Sequence, residues 1–269
     1  MIETIIIDSM EKAAGLIMEQ SYNENIDRLR SPYLYRGLLD ASFPLATTLR
    51  RNCGEKQAVL ERHILENFTK YAIREEPNLD ASVWTQMIVG QHHGLPTRLL
   101  DWSHSSLVAL HFATAEADPA DTGRRDGVVW RIDTKEMAAL MPERYRRRLE
   151  EDGSGTFAIR SLAELAGTLD GYDRDMGSGS MAIVEPPSIG PRIINQYAYF
   201  SVVPHGMTDI EAFLGAYTEH TVRYVIKKEI RWDLRDTLDQ ANMSERIIFP
   251  GLDGISKWIA RHYYVKEKE

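Results

Sequence analysis

Gln91-His92-His93-Gly94-Leu95-Pro96-Thr97-Arg98-Leu99-Leu100-Asp101-Trp102 concentrates two imidazoles, a guanidinium, a carboxylate and an indole N–H in twelve residues, with Gly94 and Pro96 shaping the backbone into an irregular turn. Apolar helices flank it. One is expected over Trp84–Gly90, and the other begins at Ser103 or Ser105, either of which can cap it, and runs through Leu107, Leu110 and Phe112 to Ala117. Polar groups this dense between packed elements suit either a structural network, with Arg98 paired to Asp101, or a ligand site. Residue chemistry alone leaves both open.

Working outward, Ser9–Tyr22 reads as a helix, Ser31-Pro32 breaks the chain, and Tyr33–Leu38 suits a short strand. Arg36 sits in the middle of that strand, where a guanidinium must find an anion or face water. It is either an ordinary edge-strand arginine or an anion contact. Gly54–Glu76 has the clearest helical periodicity, with Val59, Leu60, Ile64, Leu65, Phe68, Tyr71 and Ala72 recurring at the right spacing, and Pro77 marks its end.

Downstream, Asp118–Asp126 reads as a polar loop, Gly127–Asp133 as a strand and Thr134–Glu151 as a helix. The Gly/Ser/Asp-rich segment 153–180 reads as a mobile surface loop around one short helix near Leu162 and Leu165. Strands are expected at Met181–Glu185 and Arg192–Val203, the latter placing Ile194, Gln196, Ala198 and Phe200 on one face and Asn195, Tyr197 and Tyr199 on the other. Thr208 and Glu211 form a capping box for a helix to Tyr217. Thr221–Ile230 alternates as a strand, and Trp232–Ala241 and Asp253–His262 are helical. The interleaving defines a mixed α+β class in a single domain.

Composition narrows the function. With 269 residues, 43% hydrophobic and 27% charged, the chain is a folded globular protein. Its 32 Lys+Arg against 40 Asp+Glu give a net charge of −8, so nucleic-acid binding requires a local basic patch. The one dense basic run is Arg144 to Arg148, which lacks aromatic interleaving and reads as a solvated helix face. A single cysteine, Cys53, excludes an intramolecular disulfide and a Cys-pair zinc site and fits a reducing compartment. Met1–Asp8 has no cationic region ahead of its apolar run, and no stretch approaches the roughly 18 apolar residues of a membrane span, so a cytoplasmic protein without membrane contact is expected.

Gly153–Ala158 and Gly177–Ala182 both satisfy G-x-G-x-x-A, but neither follows an apolar strand as a dinucleotide turn must. No phosphate-loop, H-E-x-x-H or G-x-S-x-G signature occurs. His92, His93, His104 and His111 lie close in sequence to Asp101. A metal-assisted hydrolase built on His92, His93, Asp101 and His111 is therefore a minor alternative, and no metal is expected.

Taken together, Tyr35-Arg36-Gly37, Leu49-Arg50-Arg51, the whole Gln91–Trp102 run, Ala109–Ala113, Gly127–Trp130, Arg192–Phe200 and Phe249–Gly254 resemble the FRG domain family in order and composition. The resemblance covers most of the chain, from about Tyr33 to Trp258, with 1–30 as an N-terminal extension. Two positions depart from the family pattern: Ala198 stands where it has glycine, and Leu38 where it has glutamine. Tyr-Arg-Gly on an early strand also resembles the first motif of the arginine-containing ADP-ribosyltransferases. That second resemblance implies a split antiparallel sheet with flanking helices, NAD as substrate, and a protein or nucleic-acid target in bacterial toxin or phage-defence biology. It implies catalytic roles for Arg36, His92, His93, Glu185 and Gln196, with Glu185 or Gln196 serving the ribose. It also implies NAD contacts from Tyr35, Arg36, Gly37, Arg98, Asp101 and Trp102, the last or Phe112 packing on the nicotinamide. The alternative in another class is a non-catalytic module that senses a nucleotide or other ligand.

Overall fold

The computed structural model describes residues 1–24 and 26–266. The strands are β1 (Glu3–Ile7), β2 (Tyr22–Asn23), β3 (Arg28–Leu29), β4 (Tyr33–Leu38), β5 (Leu99–Ser103), β6 (Gly127–Asp133), β7 (Phe157–Ala158), β8 (Ala182–Glu185), β9 (Ala198–Val202) and β10 (Val222–Ile226). The helices begin with α1 (Met10–Ile17), α2 (Thr48–Cys53), α3 (Gln57–Ala72), α4 (Val83–His92), α5 (Ser106–Thr114), α6 (Thr134–Ala139) and α7 (Glu143–Asp152). They continue with α8 (Ile159–Leu165), α9 (Leu169–Met176), α10 (Pro191–Asn195), α11 (Ile210–Tyr217), α12 (Arg231–Gln240), α13 (Glu245–Ile248) and α14 (Leu252–His262). Among the described residues, no helix is long and apolar enough to cross a membrane.

One eight-stranded sheet runs β1-β10-β6-β4-β5-β9-β8-β7, while β2 and β3 pair separately. The Val- and Ile-rich β6 is buried along its whole length because helices or loops cover both of its faces. Val128, Trp130 and Ile132 face one apolar cluster, and Val129 faces another with Leu110 and Leu234. β4 and β6 pair antiparallel from Tyr33↔Asp133 to Leu38↔Val128. β5 pairs with β9 from Leu99↔Val202 to Ser103↔Ala198. Between β4 and β5 the only paired position is Tyr35↔Ser103. The sheet therefore splays open at that seam, and the mixed α+β class stands with its strands mostly antiparallel.

Close approach of backbone sets how α5 lies on the sheet. A Cβ at Gly37 would stand 1.9 Å from the Ala109 carbonyl oxygen, and one at Gly127 2.3 Å from that of Ala113, so glycine lets strand and helix backbones touch. Ser105, not Ser103, caps α5, its hydroxyl accepting from the Val108 N–H.

Several local expectations give way to tertiary packing. The run 91–102 is not one loop: Gln91 and His92 end α4, and Leu99–Ser103 forms strand β5, four of whose five residues are buried. Arg192–Val203 is not one strand. Pro191 at the first turn starts α10, Gln196 follows that helix, and Tyr197 takes a left-handed φ of 46° before β9 begins. The expected alternation through Ile194 and Gln196 is lost for that reason. Pro142 divides Thr134–Glu151 into α6 and α7. Asp209, not Thr208, caps α11 by accepting from the Ala212 N–H, and the Glu211 carboxylate instead accepts from the Leu45 N–H at 2.9 Å.

The segment 153–180, expected as a mobile loop, holds β7, α8 and α9 and places Phe157, Leu162, Tyr172 and Met176 in an apolar cluster. The Tyr172 hydroxyl donates to the Val202 carbonyl at 2.7 Å and accepts from the Ala182 N–H at 2.8 Å, tying the segment to two strands. Residues 1–30, expected as an extension, supply the edge strand β1, paired parallel with β10, and bury Ala13 and Leu16 of α1.

Candidate active site at the split of the sheet

The opening between β4 and β5 is a cavity of about 280 Å³. Tyr35, Arg36 and Gly37 line it from β4 and Asp101, Trp102 and Ser103 from β5. Val108, Ala109 and Phe112 of α5 and Gln91, Gly94 and Leu95 form one side, with Thr48 nearby and Arg192, Gln196 and Ala198 completing it. The volume is just under the roughly 300–1,000 Å³ of small-molecule sites, and the lining combines apolar surface with a few convergent polar groups.

A directional chain of hydrogen bonds holds the polar groups. Thr97 Oγ1 accepts from the Leu99 N–H at 3.1 Å and donates to Gln91 Oε1 at 2.6 Å. That bond orients the Gln91 amide so that Nε2 donates to both Asp101 carboxylate oxygens, at 3.1 and 3.0 Å. Arg36 Nη1 reaches across the split to the Asp101 carbonyl at 2.7 Å and its Oδ2 at 3.4 Å. Burial lowers the pKa of the Arg36 guanidinium, and the Asp101 charge opposes that shift. Arg36 Nε is buried without a protein partner.

The expected site residues separate into those the cavity gathers and those it does not. Arg36, Asp101 and Gln196 line it together. Gln196 is held by its Nε2 bond to the Ile248 carbonyl at 3.0 Å, and its own carbonyl accepts from Ser103 Oγ at 2.7 Å. Tyr35, Gly37 and Trp102 also border the cavity, but their functional atoms are used in packing. The Tyr35 hydroxyl donates to Glu19 at 3.1 Å, and burial followed by the Glu19 charge raises its pKa. Gly37 admits α5, and the buried Trp102 indole donates to Ser201 Oγ at 3.0 Å.

Arg98 does not line this cavity. It is buried away from the cavity in a cluster with Glu61 and Asp173, so the expected Arg98–Asp101 pair does not form. Glu185 stands exposed at the end of β8 beside Pro186 in a different depression, so the carboxylate of this cavity is Asp101. His92 and His93 lie just outside the cavity, ring centroids 5.1 Å apart. Burial, then the neighbouring His93 and Arg192 charges, lowers the His92 pKa. Gln91 and Arg192 are contributors that the sequence reading did not select. Gln91 stood inside the quoted run, and Arg192 opens the Arg192–Phe200 segment of the family resemblance, just after Gly190-Pro191.

The alternative metal constellation is not assembled, and no group of three His, Cys, Asp or Glu suitable for a metal ion occurs among the described residues. The basic run on α7 is spent on ion pairs within α7 and to α8 and α9: Arg144 pairs with Asp175, Arg147 with Glu143, and Arg148 with Asp152 and Glu164.

His111 lies in a second buried cluster, beneath α5. Its Nδ1 faces Arg235 Nη1 at 2.9 Å, Arg235 donates to Glu245 at 2.7 Å, and Arg261 donates to both Glu245 and Asp239. Burial and then the Arg235 charge push the His111 pKa down to about 3. Burial alone would raise Glu245, but the Arg261 hydrogen bond and the Arg235 charge outweigh it and bring Glu245 to about 2. Both folded values lie below the unfolded ones, so the unfolded state binds more protons and stability falls as pH drops. From pH 6.5 downward, His111 withdraws up to about 1.4 kcal/mol per pH unit, joined by Glu245 below pH 4.5. Urea unfolding at pH 7, 6 and 5 should show this decline, and His111→Gln should flatten it. An equal slope in the variant would assign the decline to other groups.

Residues 31–122 match the FRG domain family model. That matched segment contains β4, α2 to α4, β5 and α5 and so all of the cavity lining except Arg192, Gln196 and Ala198. Arg192 and Gln196 reach the cavity from outside the matched segment. None of the curated proteins or solved structures compared with the chain matches it.

Proposed function

We propose that the cavity at the split binds NAD and that the protein cleaves its nicotinamide–ribose bond, transferring the ADP-ribosyl group to a protein or nucleic-acid acceptor or to water. The observation that carries this reading is the pairing of a partly buried strand arginine, Arg36, with a positioned carboxylate, Asp101, across an opened sheet. The guanidinium suits a phosphate oxygen. In the reaction the glycosidic bond breaks with its electron pair going to the pyridine nitrogen, nicotinamide leaves neutral, and positive charge develops on the ribose. A carboxylate beside that ring stabilises it. The cavity is sized for the nucleoside-like half that reacts, leaving the remainder of the dinucleotide over the rim. The FRG and transferase resemblances suggest a bacterial toxin or phage-defence setting.

Purified protein incubated with NAD labelled in the nicotinamide ring should release the label. Arg36→Ala should lower the rate by about 100-fold or more, with Arg36→Lys intermediate and the melting temperature little changed. Asp101→Asn keeps the shape and removes the charge, and should lose turnover while retaining binding. Absence of both nicotinamide release and saturable NAD binding would overturn the reading. A sensing module without turnover is favoured by one feature, the prior engagement of Asp101 by Gln91 and Arg36, and it predicts recovery of the bound nucleotide intact.

A further inference from the structure

Arg192 is unlike the arginines of the buried clusters. Arg98, Arg235 and Arg261 each meet at least one carboxylate. Arg192 also lines a cavity, but among the described residues no carboxylate pairs with it. Its Nη1 donates to the His92 carbonyl at 3.4 Å, and its guanidinium stands over the Phe249 ring, 5.2 Å from the centroid. That ring in turn packs edge-on against Phe112 with centroids 6.0 Å apart. The short helix that carries Arg192 is pinned by Asn195 Nδ2 to the Ile247 carbonyl at 2.8 Å and by the Gln196 amide to Ile248. The side chain is thus oriented by aromatic packing and backbone contacts, with its counter-charge left to be supplied.

The cavity lining carries two guanidiniums, Arg36 from β4 and Arg192 from α10, against one carboxylate, Asp101, whose contacts are to Arg36 and Gln91. Arg51 adds positive charge close enough to act on Arg36. An uncompensated guanidinium opposite a compensated one asks for a ligand with an anionic group for each. We propose that Arg192 is a specificity-determining residue that recognises a second anionic group, and that the cavity selects organic diphosphates over monophosphates. This rests on the cavity being the ligand site proposed above, but not on bond cleavage.

Calorimetric titration of the full chain with AMP and ADP, with inorganic pyrophosphate as competitor, tests it. Wild type should bind ADP about tenfold tighter than AMP, the equivalent of one charge-assisted hydrogen bond. Arg192→Met keeps an unbranched side chain of similar reach and removes the charge; it should bring the ADP:AMP ratio near one while leaving AMP affinity nearly unchanged, and Arg192→Lys should restore part of the ratio. Equal weakening of AMP and ADP in R192M, or no wild-type preference for ADP, overturns the proposal. Circular dichroism of each variant identifies any that fails to fold, in which case the Arg192→Lys ratio decides. Nicotinamide release with no ADP preference removes this inference and leaves the proposed function standing. ADP preference with neither nicotinamide release nor saturable NAD binding does the reverse.

Discussion

Glu61→Ala is expected to destabilise the protein by about 3–5 kcal/mol, because it removes one partner of a buried ion pair and leaves the other charge in place. Glu61 and Arg98 are both almost wholly excluded from water, at 3% and 2% exposure. Arg98 Nε lies 2.8 and 3.0 Å from the two Glu61 oxygens, and its Nη2 also bonds Glu61. Asp173 accepts from Nη1 at 2.6 Å, and His205 Nε2 meets Glu61 at 3.0 Å. Burial raises the Glu61 pKa, but the bonds from Arg98 and His205 outweigh it and lower the net value, so the carboxylate is ionised in the folded protein. Without it, Arg98 keeps Asp173 as its sole carboxylate. Urea unfolding measures the loss, and a change below about 1 kcal/mol would contradict the assignment. The double variant Glu61→Leu/Arg98→Leu should recover part of the deficit, since the Arg98 charge leaves with that of Glu61 and the remaining Asp173 carboxylate, 20% exposed, keeps its bond from the His205 N–H.

Gly37→Ala should cost about 3 kcal/mol or more and abolish ligand binding in the same step. The added methyl would meet Ala109 O at 1.9 Å, Ala109 C at 2.9 Å and Ala113 N at 2.7 Å, all backbone atoms that no rotamer change can move. Relief requires α5 to lift from β4. Both elements line the cavity, so the lift also separates Arg36 from Val108, Ala109 and Phe112. Gly15→Ala is the matched control: nothing lies within 4 Å of its added methyl, and a helix interior favours alanine by up to about 1 kcal/mol. Thermal melts of the two variants should move in opposite directions. A Gly37→Ala protein that melts with the wild type would show that α5 yields more easily than this contact allows. The glycine of Tyr35-Arg36-Gly37, for which the resemblance implied an NAD contact, lines the cavity and also admits α5.

Elements with strong local periodicity were legible from the chain. The aromatic strand Tyr33–Leu38 and the apolar strand Gly127–Asp133 follow from local composition, and the long amphipathic α3 from side-chain spacing, because burial of one helix face imposes that spacing directly. β5 was hidden because Leu99-Leu100-Asp101-Trp102 is a short apolar run whose identity as a strand depends on its neighbour β9. Segment 153–180 was misread because its glycines and serines mark the flanks, while the residues that anchor it, Phe157 and Tyr172, find their partners on other strands.

The sequence by itself determined the likeness of residues 31–122 to the FRG domain, the mixed α+β class, the polar run Gln91–Trp102 and, separately, an arginine on an early strand. Tertiary structure alone decided which of its charged groups meet. Arg98 and Asp101 are three positions apart, yet Arg98 finds Glu61 and Asp173, 37 and 75 residues away, while Asp101 finds Arg36, 65 residues away. A buried charge takes whichever partner the packed elements bring within hydrogen-bond distance, and separation along the chain carries no information about that distance.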